Sequence, residues 1–208
     1  VQVNFGRLDP RSVVSLRGIA ELREWRPLPD GSTFIGAGLP YAAMEKGALA
    51  ARLPALAEAA RTVGSPQIRA AGTLGGNLGT ASPAGDGLPV LRALDATVNL
   101  RSASTSRDVP VADFLVGVKR TLLAPGELIV GVTIPPSPGW QGYAKVGVRN
   151  AMVIAIASAC LARDGSSVRL ALGAVAPTVV RCPRAERAAA TLLADGRRPS
   201  RDDAREFG

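Results

Sequence analysis

The residues best suited to chemistry lie at 71–89, AGTLGGNLGTASPAGDGLP. Gly72, Gly75, Gly76 and Gly79 stand among Thr73, Asn77, Thr80 and Ser82, and Asp86 is the only charged residue of the stretch. Glycines at this density permit positive φ and let a ligand reach main-chain N–H groups. Successive N–H groups turned into one concavity form an anion site of the kind that takes a pyrophosphate. The hydroxyls and the Asn amide add side-chain hydrogen bonds, and Asp86 can accept from a sugar hydroxyl. The spacing is neither a Walker loop, which ends in Gly-Lys-Ser/Thr, nor the G-x-G-x-x-G dinucleotide fingerprint. Residue types alone leave a phosphate cradle and an irregular structural loop both open.

The rest of the chain narrows the chemistry by what it lacks. Histidine is absent, which removes the commonest general base and the commonest metal ligand together. Cys160 and Cys182 form no C-x-x-C pair, so neither a zinc ribbon nor an iron–sulfur cluster has its ligands here. No Ser-His-Asp or Cys-His set exists, and no carboxylate pair has a spacing that suggests acid–base work. No catalytic residue and no metal ligand is therefore assigned. A bound cofactor would carry any reaction, with the protein supplying position and electrostatics.

A chain of 208 residues can form one large domain or two small ones. With 47% hydrophobic and 20% charged residues it is globular rather than disordered. Its most apolar stretch, 151–162, is too short to span a membrane. The formal charge of +8 raises a nucleic-acid reading, but the basic residues are mostly arginines spread singly. Aromatics at 4% are too few for base-stacking platforms. The charge reads as an Arg-rich solvated surface that can help dock an acidic partner. Two distant cysteines without a signal peptide point to a reducing cytoplasm.

These groups would be positioned by the following elements. Residues 13–16 read as a short strand and 19–25 as a turn or helix. Pro27, Pro29 and Asp30-Gly31 mark a hairpin turn, with 33–37 as the returning strand. Gly36-Ala37-Gly38 reads as a strand end. Helix follows from Ala42, and Pro54 opens a second helix whose stripe is Leu56, Ala59, Ala60 and Val63. Gly64-Ser65-Pro66 stops it ahead of the glycine stretch, read as a loop. Residues 88–94 fit a short helix, 96–101 and 108–111 are strands around a polar tip, and 128–134 is the strongest β run. Pro135-Pro136-Ser137-Pro138-Gly139 is the best domain boundary. Beyond it, 143–148, 152–161 and 168–174 read as three strands, with Asp164-Gly165 as a hairpin signal. Residues 183–193 are helical, and Ser200 with Asp203 can cap a further helix.

Several of these segments resemble a known family. Gln67-Ile68-Arg69, then Gly72-Thr73-Leu74-Gly75-Gly76-Asn77-Leu78, then Thr80-Ala81-Ser82-Pro83 and Asp86 are similar to the second flavin loop of the FAD-binding medium subunits of molybdopterin dehydrogenases. These are the xanthine, aldehyde and carbon monoxide dehydrogenase class. The likeness continues through Arg120-Thr121-Leu122, Pro125, Glu127-Leu128-Ile129 and Arg149-Asn150-Ala151-Met152-Val153-Ile154-Ala155 to Gly173-Ala174-Val175-Ala176-Pro177-Thr178.

The resemblance implies an α+β fold. Residues 1–137 would form the FAD-binding domain, PCMH-like, with a mixed sheet and helices. Residues 138–208 would form a small three-stranded antiparallel sheet with helices, like the carbon monoxide dehydrogenase flavoprotein C-terminal domain. It also implies FAD as cofactor. Thr73, Leu74, Gly75, Gly76 and Asn77 would hold the pyrophosphate, Thr80 and Asp86 would meet the sugar and ribityl part, Ile129 would lie against the isoalloxazine ring, and Lys145 would stand near the flavin. Each of the last three also has a plain structural reading: Asp86 as a helix cap, Ile129 as a core strand residue, Lys145 as a surface lysine.

The implied activity is electron transfer in an FAD-dependent oxidoreductase complex. Electrons would pass from a large molybdopterin-binding subunit through a small 2Fe–2S subunit to FAD here, then to NAD or another acceptor. Molybdopterin and 2Fe–2S are expected on those partners and not on this chain; neither nucleic acid nor membrane is expected as a partner. A non-redox scaffold subunit and a basic nucleic-acid-binding protein are the readings of other classes. Residues 1–5 open within an element and without Met, and 207–208 break off inside one. The chain is thus expected to be a piece whose family would have a first flavin loop, of Gly-Gly-Thr-Asp type, upstream.

Overall fold

The structure, a computed structural model, describes residues 12–196 and Ser200. The readings made at 1–5, at Asp203 and at 207–208 lie outside these. A 3-10 turn at Ala20–Arg23 leads into the first hairpin, β1 (Trp25–Pro27) and β2 (Thr33–Gly36), paired antiparallel. Asp30 Oδ1 fixes its turn by accepting from the Ser32 backbone N–H at 2.9 Å and the Ser32 hydroxyl at 2.6 Å. Six helices follow: α1 (Tyr41–Met44), α2 (Ala48–Arg52), α3 (Pro54–Thr62), α4 (Pro66–Ala71), α5 (Leu74–Thr80) and α6 (Gly87–Ala93). Pro54 stands at the first turn of α3, where a missing N–H costs nothing. Next come β3 (Thr97–Arg101), β4 (Ser106–Pro110), α7 (Val111–Phe114), β5 (Leu115–Gly117), β6 (Arg120–Thr121) and β7 (Leu128–Ile134). The chain continues as β8 (Trp140–Val146), β9 (Ala157–Asp164), β10 (Ser167–Gly173), β11 (Val180–Arg181) and α8 (Pro183–Ala194).

Two larger antiparallel sheets organise these elements, in the orders β1-β2-β7-β3-β4 and β11-β10-β9-β8, and β5 pairs with β6 in a small third one. In the first, Ile35 faces Val132, Val132 faces Val98 and Val98 faces Val109, giving one apolar row across four strands. All four are buried, so strand alternation puts this row in the core. Helix α6 is apolar except for Arg92 in its last turn and packs against β9, β10, α3 and α5. The second sheet therefore shares a continuous core with the first half of the chain, and Cys160, Ala162 and Ala171 join it from β9 and β10. Helix α3 covers β8, where Glu58 Oε2 accepts the Tyr143 N–H at 2.6 Å.

Three expectations change. Residues 13–16 pair with no strand among the described residues; Val13 and Val14 are 80% and 82% exposed. β-branched residues favour strands only where a neighbour accepts them. The strand expected from 152 begins at Ala157, because 147–156 form an irregular connection with Met152 at φ 48°. The glycine stretch is not a loop. Ser65 caps α4, and Thr73 caps α5 by accepting the Gly76 N–H at 3.0 Å. The second sheet has the three strands expected and a two-residue fourth, β11.

Candidate functional site

A cleft of about 550 Å³ opens beside the start of α5. That volume lies within the ordinary range for small-molecule sites. Thr73, Gly75, Gly76 and Ile129 line it, with Ala37 and Gly38 from the end of β2. Ile129 reaches it from β7, and a Cβ on Gly79 would lie 3.7 Å from Ile129 Cδ1, an ordinary contact distance.

The two central glycines serve different ends. A Cβ on Gly75 would meet Ala37 Cβ at 2.5 Å and Ala37 O at 2.6 Å, so Gly75 lets α5 approach β2. A Cβ on Gly76 would meet only Thr73 Oγ1, at 3.2 Å, and otherwise project into open space. Gly76 is exposed at the cleft, and a side chain there would occupy it. This opening is what fits a bound cofactor.

The cradle of free amides is not formed as expected. Gly75 N–H donates to Ala37 O at 3.0 Å, Gly76 N–H to Thr73 Oγ1 and Asn77 N–H to Thr73 O at 3.0 Å. These donors are used in folding α5 and docking it on β2. Leu74 is fully buried, and Thr80 donates its hydroxyl to Gly76 O at 2.8 Å.

Asp86 and Lys145 are brought together, outside the residues that line the cleft. Lys145 Nζ lies 2.8 Å from Asp86 Oδ2, their side chains 7% and 9% exposed, and it also donates to Thr62 O at 3.2 Å. Tyr143 donates its hydroxyl to Asp86 Oδ1 at 2.8 Å. Asp86 stands at the N-cap of α6, yet its carboxylate caps nothing, which corrects the cap reading. Lys145 is no surface lysine either. Burial, and then the Asp86 charge, pushes the hydroxyls of Tyr41 and Tyr143 well above the usual phenol range, so both stay protonated donors. Tyr41 Oη and Asn77 Oδ1 are buried beside this group without a hydrogen-bond partner among the described residues. Both lie close to Gly87, where a Cβ would meet each at 3.1 Å.

Sequence reasoning missed Tyr143, Tyr41, Arg17 and Arg23. Tyr143 could have been found, since residues i and i+2 of a strand share a face and Lys145 was already marked. Arg17 and Arg23 line the cleft from far along the chain, and no local pattern links them to it.

With this geometry in place, known proteins locate the chain. Residues 1–137 match the family described as the FAD binding domain in molybdopterin dehydrogenase. The chain is 33% identical to the xanthine dehydrogenase FAD-binding subunit of Escherichia coli O157:H7 over 188 residues, 86% of this chain and 64% of that protein. It is 31% identical to the carbon monoxide dehydrogenase medium chain of Hydrogenophaga pseudoflava, covering 83% of this chain and 62% of the other. Among solved structures, quinoline 2-oxidoreductase from Pseudomonas putida 86 matches with TM-score 0.84 at 25% identity, over 97% of this chain and 77% of that one. Carbon monoxide dehydrogenase from Hydrogenophaga pseudoflava matches with TM-score 0.79 at 30% identity, over 91% and 66%. The chain belongs to the family of FAD-binding domains of molybdopterin dehydrogenases. It spans somewhat under two thirds of the length of the Escherichia coli and Hydrogenophaga subunits.

Proposed function

We propose that this chain is the FAD-carrying, electron-transferring part of a molybdenum hydroxylase or dehydrogenase. It would work in the cytoplasm with a large molybdopterin-binding subunit and a small 2Fe–2S subunit, and deliver electrons to NAD or another acceptor. The observation that carries the reading is the cleft at Gly76, a position without a side chain where the family's flavin segment faces open space. The bound FAD would supply the exchange of electrons. Thr73 and Gly76 would flank its pyrophosphate, with Gly75, Leu74 and Asn77 holding α5 in shape, and Ile129 would offer an apolar contact from β7. Thr80 would act through its bond to Gly76 O. Asp86 and Lys145 would meet the flavin only if their ion pair opens or shares an oxygen. The family match ends at residue 137, which supports an FAD domain over 1–137 and a sheet-and-helix domain over 138–208.

Purification from the native source, followed by cofactor and subunit analysis, tests this. The expected complex contains flavin, molybdenum and iron, and bleaches its flavin when substrate is added. A homogeneous, folded protein with no flavin and no partner subunits would sink the reading.

A further inference from the structure

The hairpin β5–β6 stands outside both larger sheets. Lys119 N–H ties its turn to Ala81 O at 3.0 Å, just past α5, and Arg107 Nη2 on β4 donates to Leu122 O at 2.9 Å. Arg107 also binds Glu127 at 2.7 and 2.8 Å, so both ends of the segment 122–127 gather around one guanidinium. Leu128 follows at once and pairs with Arg101 of β3. Along this continuous stretch Val116, Val118, Leu122 and Leu128 are exposed, although burial would stabilise each of them.

The charge beside these residues is mostly of one sign. Among the described residues the side chains of Arg101, Lys119 and Arg120 have no hydrogen-bond or ion-pair partner, and all three are exposed. The carboxylates of 111–128 are Asp113 and Glu127, and Arg107 already holds Glu127. Lys119 has φ 54°, a turn conformation that suits glycine and strains a lysine. A strained residue of this kind points to a use for its side chain, here the ammonium. Exposed apolar residues beside unpaired cations complement a protein surface that is apolar at its centre and acidic at its rim. Nucleic acid fits less well, because Phe114, the aromatic residue of 111–128, is fully buried and leaves bases nothing to stack on. Leu123, Leu128 and Ile129 of the same stretch line the cleft, so a partner docked here would stand close to a molecule bound inside it.

We infer that the β5–β6 hairpin, with Leu122, Leu128 and Arg101 beside it, docks a partner subunit through an apolar centre and an acidic rim on that partner. This rests on the proposed function above, in which the partner exchanges electrons with FAD in the adjoining cleft. The test uses the native complex, with the substitutions made in the full chain. It compares Lys119→Glu combined with Arg120→Glu, Val118→Asp alone, Lys119→Arg alone, and Arg184→Glu combined with Arg187→Glu on α8 as a control. The double hairpin variant and Val118→Asp should keep their flavin and melting temperature, since these side chains are exposed, yet bind the partner subunit at least about tenfold more weakly. The α8 control should dock normally. In the unaltered complex a carbodiimide should join the Lys119 amine to a partner carboxylate, located by mass spectrometry. Lys119→Arg should still dock and should lose that link. Hairpin variants that hold every partner subunit as tightly as the unaltered chain overturn the inference and leave the FAD reading standing. A flavin-loaded chain that purifies without partners does the same. A protein with neither flavin nor partner overturns both. Retention of duplex DNA that the double hairpin variant loses, with subunit docking intact, would assign the surface to nucleic acid and also overturn the inference.

Discussion

Replacing Lys145 with Met should destabilise the protein far more than a surface substitution would. The ammonium lies 2.8 Å from Asp86, and the two side chains are 7% and 9% exposed, so its removal leaves a buried carboxylate with only the Tyr143 hydroxyl. Breaking such a pair from one side costs about 3–5 kcal/mol, because the remaining charge is uncompensated. Tyr143 still donates, so the lower end, about 3 kcal/mol, is expected. For a chain of this size that is a fall in melting temperature of about 6–12 °C. The double variant Asp86→Asn, Lys145→Met removes both charges and keeps an acceptor for Tyr143. It should recover at least half of the loss. Urea denaturation of the intact protein, with flavin titrated into each variant, separates two roles for the lysine. A Lys145→Met protein as stable as the original, with weakened FAD, would refute the structural ion pair and place the ammonium on the flavin instead.

Other substitutions read the remaining parts of the site. Gly75→Ala should cost about 1–3 kcal/mol by forcing a methyl group against Ala37, and denaturation midpoints would show it. Thr73→Val should cost about 1 kcal/mol through loss of the cap on α5, measurable in the same way. Arg107 holds the Glu127 carboxyl at about 2, below its ordinary 4.5. A lowered carboxylate contributes stability that is full above 4.5 and lost as pH falls toward 2. The difference in melting temperature between Glu127→Gln and the original should therefore shrink across that window. Burial pushes the Cys160 thiol up to about 12. Iodoacetamide should spare it in the native protein near neutral pH while modifying the half-buried Cys182, as mass spectrometry would report.

Periodic and punctuated stretches were legible without coordinates. The Pro27 to Gly31 hairpin, the Pro54 helix start, the β run at 128–134 and the Asp164-Gly165 turn depend on local chemistry that any fold must respect. What failed depended on partners. Val13 and Val14 have strand propensity but no strand beside them, and Gly75-Gly76 reads as a loop until Ala37 supplies the surface on which a glycine helix can dock. The site divides in the same way. The Gly76 opening was visible in the sequence, whereas the pairing of Asp86 with Lys145 joins residues 59 positions apart across α6 and β8. Arg23 lines the cleft beside Leu22, whose carbonyl accepts the Gly38 N–H just past β2.

Gly76→Val tests the central assignment most directly. Its side chain would fill the cleft without meeting the core, so the protein should fold with its melting temperature nearly unchanged. Flavin per chain, measured by absorption on the purified intact protein, is expected to fall from stoichiometric to near zero. A folded Gly76→Val protein that keeps its full flavin would show that FAD is bound elsewhere.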